Sequence, residues 1–388
     1  MKVLVVGSGG REHALAWAIS RSPQLTELHA APGNPGIAAL ADCHPVRELD
    51  VAPLAAELRS DLVVIGPEAP LVAGLADELR QRGIAVFGPS AAAARIEGSK
   101  SFAKDVLDAA GVPNARTIAV ARPPCVVKLD GLAAGKGVWV CHTQAELDAA
   151  LREAREPFHL EELLEGPELS VFALAVGDDA VAFPPVRDYK RIGDGDTGPN
   201  TGGMGTFTPL PDVADDESQQ ILETVHRPVL RELAQRGTPF HGLLYAGLMR
   251  TDDGIRVIEF NCRFGDPETQ SLLPRLESDL LPLLAGELRP LQISPRAAVT
   301  VVLTGGEYPA RGDSGTPIEG VAEAEATGAL VFHAGTALHD GRLVTNGGRI
   351  LNVTATGNSV AEARAAAYDA ASRIHFAGVH YRRDIANG

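Results

Sequence analysis

The first hundred residues alternate short apolar runs with stretches in which apolar positions recur at helical spacing. Four apolar runs have the length and β-branched content of buried strands, at residues 2–6, 27–30, 62–65 and 84–87. Three stretches between them are typical of amphipathic helices, at residues 11–20, 51–59 and 71–82. Because strands that alternate with helices form parallel sheets with right-handed crossovers, residues 1–98 are predicted to form a Rossmann-like α/β domain.

The pattern becomes mixed α and β after residue 98. Ser99 is placed to cap a helix that ends near Gly111, and Asp252-Asp253-Gly254 is placed as a hairpin turn. Further strands are predicted at 116–119, 125–128, 137–141, 159–163, 169–176, 245–250, 256–261, 298–303, 330–333, 342–345 and 349–355, further helices at 145–155, 215–236 and 359–376, and an ordered glycine-rich loop at 187–211. We therefore expect an α+β region at 99–290, with a small lobe at about 114–177, and a small mixed domain at 291–388.

Composition and charge exclude several classes of protein. The 388 residues are 45% hydrophobic and 22% charged, as in ordinary globular chains. The net charge of −15 argues against a protein that coats nucleic acid, and no apolar stretch reaches the roughly 18–20 residues of a membrane helix. The four cysteines form no C-x-x-C pair, so neither a zinc site nor a disulfide scaffold is expected, and we predict a cytoplasmic protein with reduced thiols.

The first motif with chemical content is the turn Gly7-Ser8-Gly9-Gly10-Arg11-Glu12-His13. A strand, a glycine turn and a helix N-terminus together form a site for an anion. A dinucleotide-binding turn would need glycine at the position of Glu12, and Glu27 opens the second strand instead of closing it. We therefore expect this turn to bind a phosphate that does not belong to a dinucleotide, with tight strand–helix packing as the alternative.

Two other glycine-rich loops are candidates for ligand binding. Residues 126–137 carry two lysines and three glycines, namely Lys128, Lys136, Gly131, Gly135 and Gly137. Loop N–H groups and two lysines can enclose a triphosphate, although the segment is not a Walker A loop because it leads into a strand; a hairpin with a long loop is the alternative. Residues 194–205 combine glycines with threonine and asparagine, which allows the backbone to approach a small ligand, with a flexible surface loop as the alternative.

Two acidic segments complete the candidate chemistry. Residues 160–170 place acids at the end of a strand, where backbone groups can face an adenine edge and Glu168 can accept from ribose hydroxyls; a solvated acidic rim is the commoner role of such residues. Alternation places Glu259, Asn261 and Arg263 on one strand face. A carboxylate beside an amide oxygen suits Mg²⁺, and a guanidinium can neutralise a transferring phosphoryl group. The alternative is a strand face that forms a salt bridge.

In their order along the chain, these motifs resemble those of the ATP-grasp superfamily. A closer resemblance, to the glycinamide ribonucleotide synthetase family, runs from Met1 to about Ile385. It is carried by residues 5–14, 31–34, 66–71, 130–137, 196–205 and 259–268, of which 197–205 and 261–268 are the most specific strings. The resemblance implies an ATP-grasp fold with a Rossmann-like substrate domain at 1–98, an ATP-grasp domain at 99–290 and a C-terminal domain at 291–388.

The reaction that this resemblance implies belongs to purine biosynthesis. The carboxylate of glycine would attack the γ-phosphate of ATP, giving glycyl phosphate and ADP, and the amine of 5-phospho-β-D-ribosylamine would then displace phosphate. Such a transfer depends on positioning and charge neutralisation more than on a covalent nucleophile. ATP is thus expected as a substrate and Mg²⁺ or Mn²⁺ as a cofactor. The expected partners are small molecules, with no nucleic acid and no membrane, and the chain is expected to be a monomer.

The resemblance also assigns site residues, position by position. The catalytic residues would be Arg263, Lys128 and Asp196. ATP would be bound by Lys100, Lys128, Gly131, Gly135, Lys136, Gly137, Glu161, Glu162, Leu164 and Glu168, and the metal by Glu259 and Asn261. Phosphoribosylamine would lie at the N-terminal domain and glycine near Asp196, with substrate contacts from Gly9, Gly10, Arg11, His13, Glu68, Thr197, Asn200, Asp266 and Arg349. Arg11, His13 and Arg349 are expected to supply positive charge to the phosphosugar.

Two departures from the family pattern and three other functions stay open. Residues 243–249 offer no second metal-ligating acid, and the interval from Pro113 to Lys128 leaves no room for a helix usually found there, so a compact lobe is expected. Another ATP-grasp ligase of purine biosynthesis, of carboxylase or formyl-transfer type, would explain the ATP residues but not the 197–205 loop. A silent nucleotide-binding module has no use for metal ligands, and Glu12 opposes a dehydrogenase.

Overall fold

The computed structural model describes residues 1–132, 137–154, 157–214 and 216–387. The N-terminal part is a five-stranded parallel sheet with strand order β3-β2-β1-β4-β5. Its strands are β1 (Lys2–Gly7), β2 (Glu27–Pro32), β3 (Asp42–Cys43), β4 (Leu62–Ile65) and β5 (Ala85–Phe87), and its helices are α1 (Gly10–Ser20), α2 (Val51–Leu58), α3 (Glu68–Val72), α4 (Leu75–Gln81) and α5 (Ala91–Gly98). The central strands are continuous apolar runs because both of their faces are buried.

The predicted helix at 71–82 is wrong, because two helices, α3 and α4, occupy this region. Gly74 separates them with a φ of +91°, a backbone conformation that glycine adopts at little cost. The apolar spacing continues across the break, which is why the pattern alone predicted one helix.

The small lobe is a three-stranded antiparallel sheet with one helix. Helix α6 (Lys100–Ala109) begins at Ser99, whose hydroxyl accepts from the backbone N–H of Phe102, as predicted. The lobe follows with β6 (Cys125–Leu129), β7 (Val138–Cys141), α7 (Gln144–Glu153) and β8 (Phe158–Glu162), in sheet order β7-β6-β8. The predicted strand at 116–119 is wrong, because only a single bridge joins Thr117 to Glu161.

A four-stranded antiparallel sheet with order β10-β9-β15-β16 forms the larger lobe. The elements from here to the start of the C-terminal region are β9 (Glu168–Val176), β10 (Asp179–Ala182), β11 (Arg187–Asp188), β12 (Arg191–Gly193), β13 (Thr197–Asn200), β14 (Gly205–Thr208), α8 (Glu217–Ile221), α9 (Arg227–Gln235), β15 (His241–Thr251), β16 (Gly254–Asn261), α10 (Glu268–Leu272) and α11 (Leu280–Leu284). A π-helical turn, Leu222–His226, joins α8 to α9 where one helix was predicted. The predicted ends of two helices, Arg155 and Asp215, lie outside the described residues.

The predicted loop at 187–211 contains four short strands, and two of them belong to the C-terminal sheet. That sheet has the order β11-β14-β17-β22-β19. The C-terminal elements are β17 (Ala297–Thr304), β18 (Asp313–Pro317), α12 (Val321–Glu325), β19 (Leu330–His333), β20 (Thr336–His339), β21 (Arg342–Gly347), β22 (Arg349–Gly357) and α13 (Val360–Ala371). A second sheet joins β18, β21 and β20. None of the described helices has the length and apolar character needed to cross a bilayer.

Candidate active site

The two predicted metal ligands lie on strand β16. Glu259 is opposite Gly247 of β15, and Asn261 is opposite Tyr245. A Cβ atom on Gly247 would lie 2.9 Å from Cγ of Glu259, so glycine at this position makes room for the carboxylate side chain. The Glu259 side chain is 28% exposed, whereas Asn261 is almost fully buried. The carboxylate is therefore accessible to a ligand and is held against the sheet.

Four cations act on the Glu259 carboxylate. Burial alone would raise the pKa of Glu259, but the charges of four basic groups outweigh that effect and lower it to about 2; these groups are Lys190, Lys100, Lys128 and Arg263. The Lys190 ammonium is 3.6 Å from Glu259 and 2.9 Å from Glu168. Glu259 is thus an ionised carboxylate within a basic environment, which is the electrostatic setting that a polyphosphate and a divalent cation need together.

Lys190 was missed in the sequence-based prediction, although a signal for it exists. It lies two residues after Asp188 and just before the glycine-rich loop, so the two charged side chains share a face of an extended segment. The structure confirms that this segment is extended, with β11 ending at Asp188. The segment was predicted to be a loop, and strand alternation was therefore not applied to it.

Lys128 is held in place by two contacts. Its ammonium donates to the backbone carbonyl of Ile258 at 2.8 Å and lies 2.6 Å from the carboxylate of Glu161. Glu161, which was predicted to bind ATP, also pairs with Lys104 at 3.0 Å and is buried. Glu161 therefore anchors two lysines. Lys104, on α6, is a second residue that the sequence-based prediction missed.

The other residues predicted around adenine and ribose are also engaged in internal contacts. The carboxylate of Glu162 accepts from Nε of Arg116 at 2.8 Å and from its backbone N–H at 2.9 Å. Glu168 pairs with Lys190, and Leu164 is half-buried in the connection between β8 and β9. The side chain of Glu162 thus points to Arg116, and the roles of these residues toward ATP stay predictions.

The glycine-rich loop that starts at Asp130 is anchored at its first residue. The carboxylate of Asp130 accepts from the backbone N–H of Lys100 and from the hydroxyl of Ser101, at the N-terminus of α6. Gly131 follows with a φ of +112° and open space around its Cα, while the carbonyl of Gly137 accepts from Leu129 and closes the hairpin. Gly135 and Lys136 lie outside the described residues. Lys100 and the loop therefore share one anchor.

The N-terminal glycine turn is occupied by a carboxylate of the chain itself. Glu12 accepts from the N–H of Gly9 at 2.7 Å and from Nε of Arg11. A Cβ on Gly7 would lie 2.6 Å from Cγ of Glu12, and a Cβ on Gly66 would overlap its carboxylate. The Gly9 N–H is therefore engaged by the Glu12 side chain, which caps α1, and phosphate binding by this turn stays a prediction.

Two residues predicted to bring positive charge to the substrate are buried. Nδ1 of His13 accepts from the backbone N–H of His333 at 2.8 Å, and burial, with a further contribution from the charge of His333, lowers the pKa of His13 to about 3. His13 is therefore neutral, and the expectation of a positive charge from it is wrong. Arg11 is 7% exposed and donates to the carbonyl of Phe264 at 3.2 Å. Gly10 packs against Asn352 and Gln270 of other elements.

Arg263 lies between two acids of the N-terminal region. Its Nε donates to Glu68 at 3.2 Å, and its Nη2 lies 3.3 Å from Glu97. Although burial alone would lower the pKa of Arg263, the charges of Glu97 and Glu68 raise it above its usual value. Glu97, which sequence reasoning missed, also accepts from the N–H of Cys262 at 2.7 Å. Most of the Arg263 charge is thus balanced within the protein.

A polar cleft of about 460 Å³ lies where the N-terminal turn meets the C-terminal region. It is lined by Ser8, Gly9, Pro32, Gly33, Asn34, Asp266, Ala334, Gly335, Thr336, Asn346 and Arg349. Arg349 pairs with Asp266 at 2.9 Å, and Asn34 donates to the carbonyls of Ser8 and His333, both at 2.8 Å. Three of the predicted substrate residues, Gly9, Asp266 and Arg349, are thereby brought together.

The predicted glycine-binding residues lie on the hairpin β12–β13. Asp196 has a φ of +53°, and its carboxylate lies 2.7 Å from Nη1 of Arg382, a side chain that is 1% exposed. The hydroxyl of Thr197 donates to the carbonyl of Asp194, and Asn200 is opposite Arg191. Asp196 is therefore bound to the C-terminal segment, and its catalytic role stays a prediction.

Comparison with protein families identifies the chain. Three models of phosphoribosylglycinamide synthetase match it: the N domain at residues 1–97, the ATP-grasp (A) domain at 98–269 and the C domain at 298–388. The chain belongs to the phosphoribosylglycinamide synthetase family.

Curated relatives and solved structures agree with this membership. The chain is 50% identical to a phosphoribosylamine–glycine ligase of Streptomyces coelicolor, over 100% of this chain and 99% of the relative. It is 46% identical to a phosphoribosylamine–glycine ligase of Pseudomonas aeruginosa, over 99% of this chain and 97% of the relative. The crystal structure of phosphoribosylamine–glycine ligase from Thermotoga maritima matches with a TM-score of 0.85 and 35% identity, over 99% of this chain and 100% of that one. The fold is shared by an N5-carboxyaminoimidazole synthase from Aspergillus clavatus, which is 17% identical and matches with a TM-score of 0.67 over 96% of this chain and 98% of that one.

In this member of the phosphoribosylglycinamide synthetase family, the residues on β16 fit a divalent metal. Glu259 supplies an ionised carboxylate and Asn261 an amide oxygen, which are hard ligands. Within residues 1–132, 137–154, 157–214 and 216–387, no group of three His, Cys, Asp or Glu side chains could hold a metal. A cation here would complete its shell with phosphate oxygens and water, as Mg²⁺ commonly does.

Proposed function

We propose that the chain catalyses the ATP-dependent ligation of glycine to 5-phospho-β-D-ribosylamine, giving glycinamide ribonucleotide, ADP and phosphate. It is thus a phosphoribosylamine–glycine ligase of purine biosynthesis. The observation that carries the proposal is the ionised Glu259 among Lys190, Lys100 and Lys128, in a chain that is 50% identical over its whole length to a relative of that name. A basic environment around one carboxylate serves phosphoryl transfer, which needs positioning and charge neutralisation.

The first step that we infer is the formation of glycyl phosphate. A glycine carboxylate oxygen attacks the γ-phosphorus of ATP, and the bond from that phosphorus to the β-phosphate oxygen breaks. Lys100, Lys128 and Lys190 would neutralise the phosphate oxygens, and Glu259 and Asn261 would hold Mg²⁺ or Mn²⁺. When bound, the metal would polarise phosphate oxygens as a Lewis acid. Gly131 and Gly137, at the two described ends of the glycine-rich loop, would lie beside the phosphates.

The second step needs a site for the phosphosugar, and we place it in the polar cleft of about 460 Å³. Ser8, Gly33, Gly335 and Thr336 supply backbone and hydroxyl groups there, and Arg349 supplies a positive charge. The amine of phosphoribosylamine attacks the acyl carbon of glycyl phosphate, the bond from that carbon to the phosphate oxygen breaks, and the amine loses a proton. Arg11 and Glu68 would stabilise one wall of this site through Phe264 and Arg263.

The test of this activity is the release of ADP by the purified chain. We expect release only when ATP, a divalent metal, glycine and phosphoribosylamine are all present, together with a product of the mass of glycinamide ribonucleotide. Release that depends on bicarbonate or formate, and not on glycine, would favour the carboxylase or formyl-transfer alternative. Release without any second substrate would contradict a ligase.

The glycyl phosphate intermediate has its own test. Glycine labelled with ¹⁸O in its carboxylate should transfer one labelled oxygen to phosphate in each turnover, because the oxygen that attacks the phosphorus leaves with it. Phosphate without label would rule out the acyl phosphate while leaving the overall reaction intact.

We also propose that the chain acts as a cytoplasmic monomer. The four cysteines are free thiols, as expected of a reducing compartment. The large apolar side chains that are exposed in the described residues, Leu49, Val120, Leu132, Val176 and Leu338, come from separate segments of the chain. Sedimentation velocity at micromolar concentration should give a single species of about 40.6 kDa; a species of twice that mass would contradict the monomer.

A further inference from the structure

A segment of the C domain, residues 380–386, lies across the hairpin β12–β13, and we call this segment the strap. At the turn of the hairpin, the backbone N–H of Arg383 donates to the carboxylate of Asp194 at 2.8 Å. In return, the backbone N–H of Gly195 donates to the carboxylate of Asp384 at 2.8 Å. Each partner thus supplies one backbone donor and one charged acceptor, and such hydrogen bonds are stronger than those between neutral groups. The hairpin turn is therefore held in a fixed position against the strap.

Arg382 is the central contact of the strap, and its side chain is almost fully buried. Its Nε and Nη2 both donate to the carboxylate of Asp384, at 2.7 and 2.6 Å. Its Nη1 donates to the carboxylate of Asp196 at 2.7 Å and to the carbonyl of Arg191 at 3.1 Å. Although burial alone would lower the pKa of Arg382, the hydrogen bonds to Asp384 and Asp196 raise it above its usual value. The guanidinium is therefore charged, and one planar group joins the strap to the first arm and the turn of the hairpin.

The strap contacts both chain neighbours of Lys190. On one side, the Arg382 guanidinium lies 4.8 Å from the centre of the Tyr189 ring, and the backbone N–H of Ala386 donates to the Tyr189 hydroxyl at 3.1 Å. On the other side, the carbonyl of Arg191 accepts from Arg382. The main chain before and after Lys190 is thus attached to the same segment.

The side chain of Lys190 reaches from this fixed backbone into the active site. Its carbonyl accepts from the N–H and the hydroxyl of Thr201, at 2.7 and 2.8 Å. Its ammonium lies 2.9 Å from Glu168 and 3.6 Å from Glu259, the carboxylate predicted to hold the metal. Because a lysine side chain is long and flexible, the position of its ammonium depends on where the backbone is held. A misplacement of about 1 Å is enough to cost about 100-fold in rate.

We propose that Arg382 is a positioning residue of the ATP site, which acts through the strap and the hairpin to fix the ammonium of Lys190 beside the phosphates of ATP. The inference rests on the proposed function, in which Lys190 neutralises phosphate oxygens. Arg382 lies in the C domain, and Lys190 lies in the ATP-grasp (A) domain. Phosphoryl transfer in the A domain therefore depends on a buried charge that the C domain supplies, and Arg382 acts without touching a reacting atom.

A positioning role differs from a purely structural role in what it couples. If Arg382 only joined two domains, its loss would lower stability and ATP affinity by the same amount whether or not residue 190 is a lysine. If Arg382 positions Lys190, its loss affects ATP only while Lys190 is present. The energetic coupling between the two residues separates these roles, because residues that act through one another do not have additive effects.

The test starts from three variants of the full-length protein. Arg382→Gln removes the charge, and Arg382→Lys keeps the charge but loses the planar group that makes two bonds to Asp384. Arg383→Gln is the matched control, because Arg383 is exposed and its backbone N–H, which the change keeps, makes the contact to Asp194. We expect kcat/KM for ATP to fall about 10- to 100-fold in Arg382→Gln and by less in Arg382→Lys, as for a misplaced phosphate contact. It should change less than about twofold in Arg383→Gln, as for other exposed charges.

The deciding measurement is a double-mutant cycle with Lys190→Ala. Affinity for a fluorescent, non-hydrolysable ATP analogue is measured by titration, which does not depend on the other substrates. Arg382→Gln should weaken this binding about tenfold in the wild-type background, since a charged phosphate contact is displaced. In the Lys190→Ala background it should weaken binding less than about twofold, because the residue through which Arg382 acts is gone. An equal loss in the two backgrounds would show that Arg382 acts on structure alone and would overturn the proposal.

The remaining outcomes are equally decisive. Unchanged analogue affinity and unchanged kcat/KM for ATP in Arg382→Gln would overturn the proposal. If Arg382→Gln fails to fold by circular dichroism, the same cycle is measured with Asp384→Asn, which keeps the shape of the side chain and removes the charge that pairs with Arg382. Failure of both variants to fold would make the strap a structural element and would also overturn a positioning role. Wild-type protein that binds the analogue but releases no ADP with glycine and phosphoribosylamine would contradict the proposed function, while the cycle would still decide the role of Arg382.

Discussion

Two groups of charged side chains meet near the end of strand β16, and they use their charges differently. The closed network consists of Arg11, Glu12, Glu68, Glu97 and Arg263. The open cluster consists of Glu259, Lys190, Lys128, Lys100 and Glu168. In the closed network each charge has a partner within the protein and the side chains are largely buried. In the open cluster Lys128 pairs with Glu161 and Lys190 with Glu168, but the Glu259 carboxylate keeps 28% of its side chain exposed.

The difference shows how a site can be recognised without a bound ligand. Charges that balance one another internally hold domains together, as Arg263 does between β16 and the N-terminal helices. Several basic side chains around a partly exposed carboxylate favour a ligand that carries negative charge, and we expect the lysines around Glu259 to bind phosphate. The presence of acids and bases alone does not separate the two cases, since both groups combine glutamates with basic side chains, arginines in the closed network and lysines in the open cluster. The contacts that each residue makes do separate the closed network from the open cluster.

The largest expected effect belongs to Glu259→Gln, in the open cluster. Turnover should fall about 100- to 1000-fold, the cost of removing one preorganised charge contact from a transition state, while the KM for ATP changes little. The measurement is kcat over a titration with Mg²⁺ and Mn²⁺. Glu165→Gln, an exposed acid of the same region, should behave like wild type. Wild-type turnover and metal requirement in Glu259→Gln would place the metal elsewhere.

A substitution in the closed network should lower the free energy of unfolding. Arg11→Ala removes the partner of buried Glu12 and should lower the free energy of unfolding by about 3 kcal/mol, as for other broken buried ion pairs. Urea denaturation measures this loss. The control is Arg47→Ala, whose pair with Asp50 is largely exposed and should contribute little.

The kinetics of Arg11→Ala test the substrate prediction separately. The KM for phosphoribosylamine should rise while that for ATP stays near its wild-type value, because Arg11 donates to the carbonyl of Phe264, two residues before Asp266, which lines the polar cleft. If only the KM for ATP changed, the phosphoribosylamine site would have to be assigned away from the N-terminal domain.

Lys128 and Lys104 sharpen the comparison because both pair with Glu161. Each change to alanine should lower the free energy of unfolding by a similar amount, about 1.5–3 kcal/mol, since each removes an ammonium that donates to a backbone carbonyl and pairs with Glu161. Only Lys128→Ala should also weaken ATP binding, by about tenfold, because Lys128 belongs to the open cluster. Fluorescence titration with an ATP analogue measures this difference. Equal ATP affinity in the two variants would remove Lys128 from the phosphate site.

The smallest expected effect is a dependence of stability on pH. Burial lowers the pKa of His13 to about 3, and that of His226 and His333 to about 4. The unfolded chain binds protons at these residues near pH 6.5, and the native protein does not. Stability is therefore complete above pH 6.5 and is lost as the pH falls.

Between pH 6 and pH 5, each of these histidines should lower the free energy of unfolding by about 1.4 kcal/mol per pH unit. Urea denaturation across this window measures the slope. His13→Asn should reduce the slope of the free energy of unfolding against pH by about the contribution of one histidine. An unchanged slope would show that His13 is charged in the native protein.

Much of the fold could be predicted from periodicity. The parallel sheet, the Ser99 cap and the hairpin β15–β16 occur where the sequence placed them, because their apolar patterns are long and their turns contain glycine. Strands β11 and β14 were missed, because two or four residues are too few to show alternation. They are fixed by pairing with distant strands, which no local pattern records.

The site was predicted less completely than the fold. Sequence reasoning selected Glu259, Asn261 and Lys128, whose positions at the ends of strands are typical of ligand sites. It did not select Lys190, Glu97 or Arg382, since a single charged residue carries no local signal of its burial. Glu12 was interpreted only as opposing a dinucleotide, because its own function as the cap of the first turn depends on contacts with Gly9 and Gly66 that only the folded chain creates.

Strand β14 has a mechanical consequence. It lies in the middle of the sequence, far before the C domain begins at residue 298. It is nevertheless paired with β17 over four residue pairs, from Gly205–Val301 to Thr208–Ala298. A pulling force along the direction of these two strands would load their hydrogen bonds in shear, together and not one after another. The region that carries the glycine-rich hairpin would therefore be strained before the C-terminal part could detach. Under tension, the region of the glycine-rich hairpin and the C-terminal part should unfold together.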